Sequence, residues 1–252
     1  MILTVLIGNT NTRLTWFSGR RIVRRWVRPT GAALPAVGRI DGAAIASVVP
    51  KRTASIVAGL KRKTGLTSLV VTPATEIGLR FRYNRRQLGA DRVCAAVGAH
   101  LRYSGDLAVL DFGTAITLNV IRANGTFISG AIMPGADMML EALSGSTARL
   151  PHLRLTMGHD RIVGQFGSCP RSLGHDTKSA IQVGVTGLLC GGINALIDRL
   201  GSGYRVIATG GRAPAFRKLI RRIGTVDPDL AAHGLVEIYR LNRPKPDCGS
   251  RK

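Results

Sequence analysis

The sequence predicts an α/β protein in which one supersecondary unit is built twice. Composition is the first reason: 45% of the residues are hydrophobic, only 5% are aromatic, and 31 of 252 are glycine. An aliphatic, glycine-rich chain suits strands and helices joined by tight turns better than a β-sandwich. It also carries enough apolar side chains to bury a core, which excludes disorder along the whole chain. A repeated grammar is the second reason. Residues 2–17 read as an apolar strand, a Gly-Asn-Thr turn and a returning strand, and from Leu107 the pattern starts again with a Gly-Thr-Ala turn. Length is the third, since 252 residues suffice for one large domain or two medium ones. The expected division is an N-terminal domain over 1–106, a C-terminal domain over 107–242 and a disordered tail over 243–252.

Each element follows from local pattern. Residues 1–7 (MILTVLI) form an apolar strand closed by Gly8-Asn9-Thr10-Asn11. Thr12–Phe17 returns as its hairpin partner, and the arginine-rich stretch from Arg20 to Arg28 predicts a third strand at a sheet edge. The apolar run over 42–49 stops at Pro50, and Lys51–Gly65 has helical spacing through Ile56, Val57 and Leu60. A short strand over 69–71 and a helix over Arg92–Leu101 complete the first half. In the second half, Gly130–Gly135 reads as a bracketed turn, Ala136–Ser144 as a helix and 151–176 as a long loop. Lys178–Leu200 is the strongest helical pattern. A strand over Tyr204–Ala208 stops at Thr209-Gly210-Gly211, and helices over Ala215–Ile223 and Leu230–Tyr239 follow.

Charge is uneven. Lys and Arg number 36 against 14 Asp and Glu, for a net charge of +22. Such a surface attracts nucleic acid, acidic membranes or phosphorylated small molecules. The arginines are scattered rather than set in one block, a distribution that codon bias produces as readily as a binding face does. Cys94, Cys169, Cys190 and Cys248 show no CxxC spacing, which argues against structural zinc and against a disulfide framework. No apolar run reaches 18 residues, and the N-terminus reads as a strand rather than a signal peptide. The expected location is the cytoplasm, with no membrane contact.

Three strand-ending turns carry the chemistry: Gly8-Asn9-Thr10, Gly113-Thr114-Ala115 and Thr209-Gly210-Gly211. Glycine at a strand end lets the backbone approach a phosphate and aim N–H groups at it, and the hydroxyls of Thr10, Thr114 and Thr117 can add donors. Neither GxxxxGK[ST] nor a GxGxxG after the first strand is present, so P-loop and Rossmann chemistry are not indicated.

The ordered set GNTNT at the start, GADR at 89–92, DFGTAIT at 111–117, GAIMPG at 130–135, Asp176-Thr177 before SAIQVG, TGG at 209–211 and DPDLAAHGL at 227–235 resembles the type III pantothenate kinases. These belong to the superfamily of acetate kinase, sugar kinases, Hsp70 and actin. The resemblance implies two ribonuclease-H-like domains with a nucleotide cleft between them. It implies transfer of the ATP γ-phosphoryl group to pantothenate in coenzyme A synthesis, with Mg2+ and a monovalent cation (K+ or NH4+). It further implies a homodimer with the pantothenate site at the interface. By the same resemblance Asp91 is the catalytic base, and Asp111 holds Mg2+ through water. Gly8, Asn9, Thr10, Arg13, Gly113, Thr114, Thr117, Gly210 and Gly211 line the nucleotide. Tyr83, Gly89, Arg92 and Thr177 face the substrate, and Gly130, Pro134 and Gly135 lie near the interface. From the residues alone, Asp91 also reads as an N-cap of the helix after it, and Asp176-Thr177 as the cap of the long helix.

The chain departs from the family pattern in one place of chemical weight. The first loop of the family reads Asp-x-Gly-Asn-Thr, and here that Asp is Leu6. A leucine cannot hold a cation or its waters. Before GADR the usual Pro is absent and Tyr83 is shifted by about one position, and Ser129 stands where a second glycine is usual. The alternative reading is therefore a catalytically degenerate paralogue acting as a regulatory or nucleic-acid-binding accessory factor, as some related proteins do in transcription.

Overall fold

A computed structural model describes residues 1–153 and 173–243. Most of the loop expected over 151–176, nearly all of the 243–252 tail, and Cys169 and Cys248 lie outside the described residues. The chain divides into two compact units, Met1–Arg102 joined by the segment from Leu230, and Tyr103–Asp229.

In the first unit, β1 (Ile2–Ile7) pairs antiparallel with β2 (Asn11–Ser18), which pairs antiparallel with β3 (Arg21–Pro29). On its other side β1 pairs in parallel with β4 (Gly42–Ser47), and β4 with β5 (Leu69–Val70), giving the order β3-β2-β1-β4-β5. The arginine-rich third strand is at the edge, as its charge predicts: an edge strand tolerates exposed cations that a central strand would bury. Helix α1 (Pro50–Thr64) makes the β4–β5 crossover, with Pro50 at its start and Gly65 in the left-handed conformation at its end. Its Ile56 and Leu60 join Leu3, Val5, Leu14, Trp16 and Ile45 in one apolar cluster. A two-residue strand, β6 (Arg80–Phe81), and a 3-10 turn at Arg85–Gln87 precede α2 (Ala90–Arg102).

The second unit repeats this topology. β7 (Asp106–Phe112) pairs antiparallel with β8 (Ala115–Ile121), and β8 with β9 (Thr126–Pro134). β10 (Tyr204–Thr209) lies parallel to β7, and β11 (Thr225–Val226) parallel to β10, so the strands run β11-β10-β7-β8-β9. Helices α3 (Ala136–Gly145), α4 (Thr177–Leu200) and α5 (Ala213–Leu219) connect them. Helix α4 is long and apolar enough to cross a membrane by length and composition, although no uninterrupted apolar run announces it. Here Val185, Leu189, Cys190, Ile193 and Ile197 are buried in the core of the second unit with Leu110, Phe112 and Ile116.

Three expectations need correction. Gly130–Gly135 is not a turn: Gly130 through Pro134 extend β9, each paired with a residue of β8. Pro134 is the last strand residue, where a missing N–H costs the ladder least. The helix expected at Ala215–Ile223 is Ala213–Leu219, because Pro214 starts it and Ile220 is already extended. The closing helix α6 (Leu230–Leu241) belongs with the first unit, not with the second half of the sequence. Glycines determine that placement. A Cβ on Gly98 of α2 would sit 1.9 Å from the Leu230 carbonyl oxygen, and one on Gly234 of α6 would sit 1.8 Å from the Cys94 carbonyl oxygen. The two helices cross backbone against backbone, a contact that only glycine permits.

Candidate active site

Each sheet presents its candidate residues at the carboxyl ends of its parallel strands, the end at which open α/β sheets bind ligands. In the first unit the β1–β2 turn is closed by the Gly8 N–H, which donates to the Asn11 carbonyl at 3.0 Å, while Thr30 Oγ1 donates to the Gly8 carbonyl at 2.6 Å. The Gly8 N–H is therefore spent on the turn rather than turned outward; Asn9, Thr10 and Asn11 are exposed there. Leu6 and Arg13 are direct cross-strand partners on β1 and β2, so their side chains share a face. Leu6 is half-buried and packs against the small cluster of Phe17, Ala232 and Val236.

The GADR segment lies at the same end of this sheet. Val48 N donates to the Ile7 carbonyl at 3.1 Å, and Val48 Cγ1 lies 3.7 Å from where a Gly89 Cβ would be. The first helical hydrogen bond of α2 runs from Val93 N to the Gly89 carbonyl at 3.1 Å. Asp91 is thus inside the first turn of α2 rather than at its N-cap. Its carboxylate folds back over Gly89: Oδ1 accepts from Arg92 N at 2.8 Å and would lie 2.5 Å from a Cβ at position 89. Glycine at 89 makes room for that carboxylate. One turn on, burial and then the Asp91 charge push the Cys94 thiol up, out of reach of thiolate chemistry. Arg92 is 5% exposed, and its guanidinium stands 5.3 Å over the Tyr83 ring. Tyr83, Gly89, Asp91 and Arg92 are therefore brought together.

In the second unit Asp111 is the penultimate residue of β7, paired with Thr117 on β8 and with Thr209 on β10. Thr114 and Gly113 are exposed in the β7–β8 turn, and Thr117 is 9% exposed beneath it. The β10 turn is laid directly on β7. Gly210 has φ +90°, and a Cβ there would stand 2.4 Å from Asp111 Oδ1 and 2.7 Å from Phe112 N. Gly211 is exposed beside it. Gly135 is buried on the other flank: its N–H donates to the Thr114 carbonyl at 3.1 Å, and a Cβ would meet that oxygen at 2.2 Å. Asp111, Gly113, Thr114, Thr117, Gly210 and Gly211 thus form one cluster. Thr177 is not part of it. It is exposed at the first residue of α4, behind a capping box in which Asp176 accepts from Ser179 N at 2.8 Å and Ser179 Oγ accepts from Asp176 N at 3.1 Å.

Sequence reasoning passed over Thr30, which ties the first turn to the end of β3, and Arg212 and Asp137, which pair between the β10 turn and α3. None carries a motif signal. An arginine in a chain of so many, or an Asp in a first helical turn, is visible only when its partner is.

A family model described as type III pantothenate kinase matches residues 2–199. The type III pantothenate kinase of Desulfosudis oleivorans is 35% identical, covering 93% of this chain and 97% of the relative. That of Rhodospirillum rubrum is 35% identical, covering 97% and 100%. Among solved structures, a protein of Campylobacter jejuni described as a Baf family transcriptional activator superposes with TM-score 0.61 at 18% identity, covering 95% of this chain and 98% of that one. Component A of (R)-2-hydroxyglutaryl-CoA dehydratase from Acidaminococcus fermentans superposes with TM-score 0.54 at 14% identity, covering 94% and 96%. The structural likenesses establish the fold alone, the two-domain ribonuclease-H-like fold of actin-like kinases and ATPases. On the family match and the near-full-length relatives, the chain belongs to the type III pantothenate kinase family.

Proposed function

We propose that this chain phosphorylates pantothenate to 4'-phosphopantothenate with ATP, the first step of coenzyme A biosynthesis, as a cytoplasmic homodimer. The observation that carries the reading is the Asp91 carboxylate, held over Gly89 at the start of α2 beside Arg92 and Tyr83. A carboxylate so placed accepts the proton of the acceptor hydroxyl as its oxygen attacks the γ-phosphorus and ADP departs. Arg92 and Tyr83 orient the acceptor, with Thr177 reaching it from a second copy. Leu188, 67% exposed on α4, supports an interface on that helix.

In this reading Gly8, Asn9, Thr10 and Arg13 of the first unit, and Gly113, Thr114, Gly210 and Gly211 of the second, are the residues that would bind the nucleotide. Asp111 fits Mg2+: this ion is held by one or two carboxylates together with waters and substrate phosphates, and Gly210 leaves its carboxylate the space a Cβ would fill. When bound, Mg2+ neutralises charge on the β- and γ-phosphates. Asp111 would hold the ion through its waters, and Thr114 and Thr117 would donate hydrogen bonds toward the phosphate oxygens.

The test is ADP release from the purified chain with ATP, Mg2+ and either K+ or NH4+, with and without pantothenate. Pantothenate-dependent ADP formation, lost by a factor of about 10³ or more in Asp91→Asn with folding retained, is expected. Absence of turnover in a folded, ATP-binding chain would favour the second reading, a degenerate regulatory paralogue, which Leu6 in place of the first-loop carboxylate supports. Binding of duplex DNA that weakens steeply with salt would then be its signature.

A further inference from the structure

In the second unit three separate segments meet at the end of β7, and one ion pair joins the last two of them. The first segment is the β7–β8 turn with Gly113 and Thr114. The second is the start of α3, where Gly135 rests on the Thr114 and Gly113 carbonyl oxygens, which lie 2.2 and 2.9 Å from its would-be Cβ. The third is the β10 turn, where Gly210 presses on Asp111 and Phe112. Arg212 follows the two glycines. Its N–H donates to the Phe112 carbonyl at 3.4 Å, and its guanidinium pairs with the Asp137 carboxylate in the first turn of α3. Behind it, Phe216 of α5 stacks on Phe112 with ring centroids 4.8 Å apart and planes at 14°. The contacts close a ring: β7 to the Gly210 turn, that turn through Arg212 to Asp137, and α3 through Gly135 back to the β7–β8 turn.

Glycines 210 and 211 have no side chain with which to hold their own turn in place. Arg212 is the first residue after them that does; its side chain is 16% exposed and that of Asp137 48%, so the arginine end of the pair is the one shielded from water and salt. We propose that Arg212 is a positioning residue for the nucleotide. Through Asp137 it fixes the glycine turn against the second phosphate turn, so that both present their backbone to ATP in one geometry. The proposal rests on the nucleotide-binding reading of the 209–211 turn given above.

The experiment is a double-mutant cycle on the full-length chain, with Arg212→Met, Asp137→Asn, both together, and the exchange Arg212→Asp with Asp137→Arg. The primary readout is the Kd for a fluorescent ADP analogue without pantothenate. Pantothenate KM at saturating ATP and the melting temperature are read beside it. Each single variant is expected to weaken nucleotide binding about tenfold, the double variant no further, and the exchange to recover to within about threefold of wild type. Pantothenate KM should stay within about twofold throughout, because the pair acts on the nucleotide side alone. Unchanged Kd in Arg212→Met, additive losses in the double variant, a wild type that binds no nucleotide, or losses that track pantothenate KM and melting temperature together would each overturn the proposal. Pantothenate-dependent turnover of the wild type is scored separately. If it is absent, the kinase reading fails while the Kd series still decides the role of Arg212.

Discussion

The β1–β2 turn and the β7–β8 turn hold the same station in the same topology, yet they are chemically unlike. Leu6 pairs with Arg13 across the hairpin and with Ala46 on the parallel neighbour, while Asp111 pairs with Thr117 and Thr209 in the corresponding register. Both positions are second to last in their strand, two residues before the turn glycine. Duplication therefore delivers two equivalent places for a carboxylate, and this chain uses one. The unit that lacks it supplies Asp91 and a cation, Arg13, on the strand face where the missing acid would be. Catalysis by phosphoryl transfer depends on positioning and charge neutralisation more than on covalent chemistry. On the proposed kinase reading, the second unit would carry the metal-side charge alone and the first would carry the base.

Among the variants that compare the two turns, the largest effect should follow from removing the one carboxylate at this station, Asp111. Asp111→Asn keeps shape and loses the anion, and kcat/KM should fall about 10²–10³-fold with the fold intact. Leu6→Ala, its counterpart in the first unit, should lower activity no more than about threefold and act mainly on stability. Steady-state kinetics on both variants decides the point. Comparable losses in kcat/KM would break the asymmetry.

Gly210→Ala should come next. Its Cβ would fall 2.4 Å from Asp111 Oδ1, and φ +90° is unfavourable for any residue with a side chain. An activity loss of about 30-fold is expected, working through displacement of the carboxylate. The combination Gly210→Ala with Asp111→Asn should then be slower than Asp111→Asn alone by clearly less than that 30-fold, since part of the loss acts at one group and the rest through the nucleotide-facing turn. Fully multiplying losses would mean that Gly210 leaves Asp111 undisturbed and serves the nucleotide alone.

Leu6→Asp tries to rebuild the symmetry. Arg13 on the paired position offers the new carboxylate a partner, so the variant should fold, although it forfeits the packing of Leu6 against Phe17 and Val236. The expected cost is about 1–2 kcal/mol in stability, and the expected gain is about three- to tenfold in turnover at limiting Mg2+. A folded variant no faster than wild type would show that the first turn works without an acid and that the leucine is a settled feature.

Much of this comparison is legible in sequence because both turns follow apolar strands and end in glycine, which leaves a local signature. The loss at Leu6 is visible for the same reason. What is not legible depends on contacts between distant segments. Helix α6 reads as the last element of the second half, but its partner surface, Gly98 under Leu230 and Gly234 under Cys94, lies more than a hundred residues earlier. Gly130–Pro134 reads as a turn because Gly and Pro break strands in general; the pairing with β8 that keeps it extended is tertiary. Asp91 reads as an N-cap because the helical pattern begins at Arg92, two residues after the first helical residue, Ala90, and helix ends are the least determined part of any pattern.

The two units also start their helices differently, and this gives the smallest predicted effect. Helix α1 opens behind Val49 with Pro50 at its first position and no side-chain cap, whereas α4 opens with the reciprocal Asp176–Ser179 box. The backbone hydrogen bond from Ser179 holds the Asp176 carboxyl below the usual carboxylate value of 3.8, against an opposing effect of burial. A group whose folded pKa lies below its unfolded one stabilises the protein above the unfolded value and loses that contribution as pH falls through the folded one. Asp176 therefore supports α4 at neutral pH and ceases to do so in acid below the ordinary carboxylate range. Asp176→Ala should lower the melting temperature by about 2–4 °C at pH 7, and the gap from wild type should close as the pH is taken below the ordinary carboxylate range. Asp176→Asn, which caps without ionising, should remove the pH dependence and keep most of the stability. Thermal melts across that range decide between a cap and a bystander, since a gap independent of pH would place the stabilisation in packing rather than in the ionised carboxylate. The result also bears on Thr177, because the cap fixes the first turn of α4 from which Thr177 is proposed to reach substrate in a second copy. If Asp176→Ala raises pantothenate KM while leaving the nucleotide Kd unchanged, the uncapped end has moved Thr177, and the second unit contributes to both sides of the reaction.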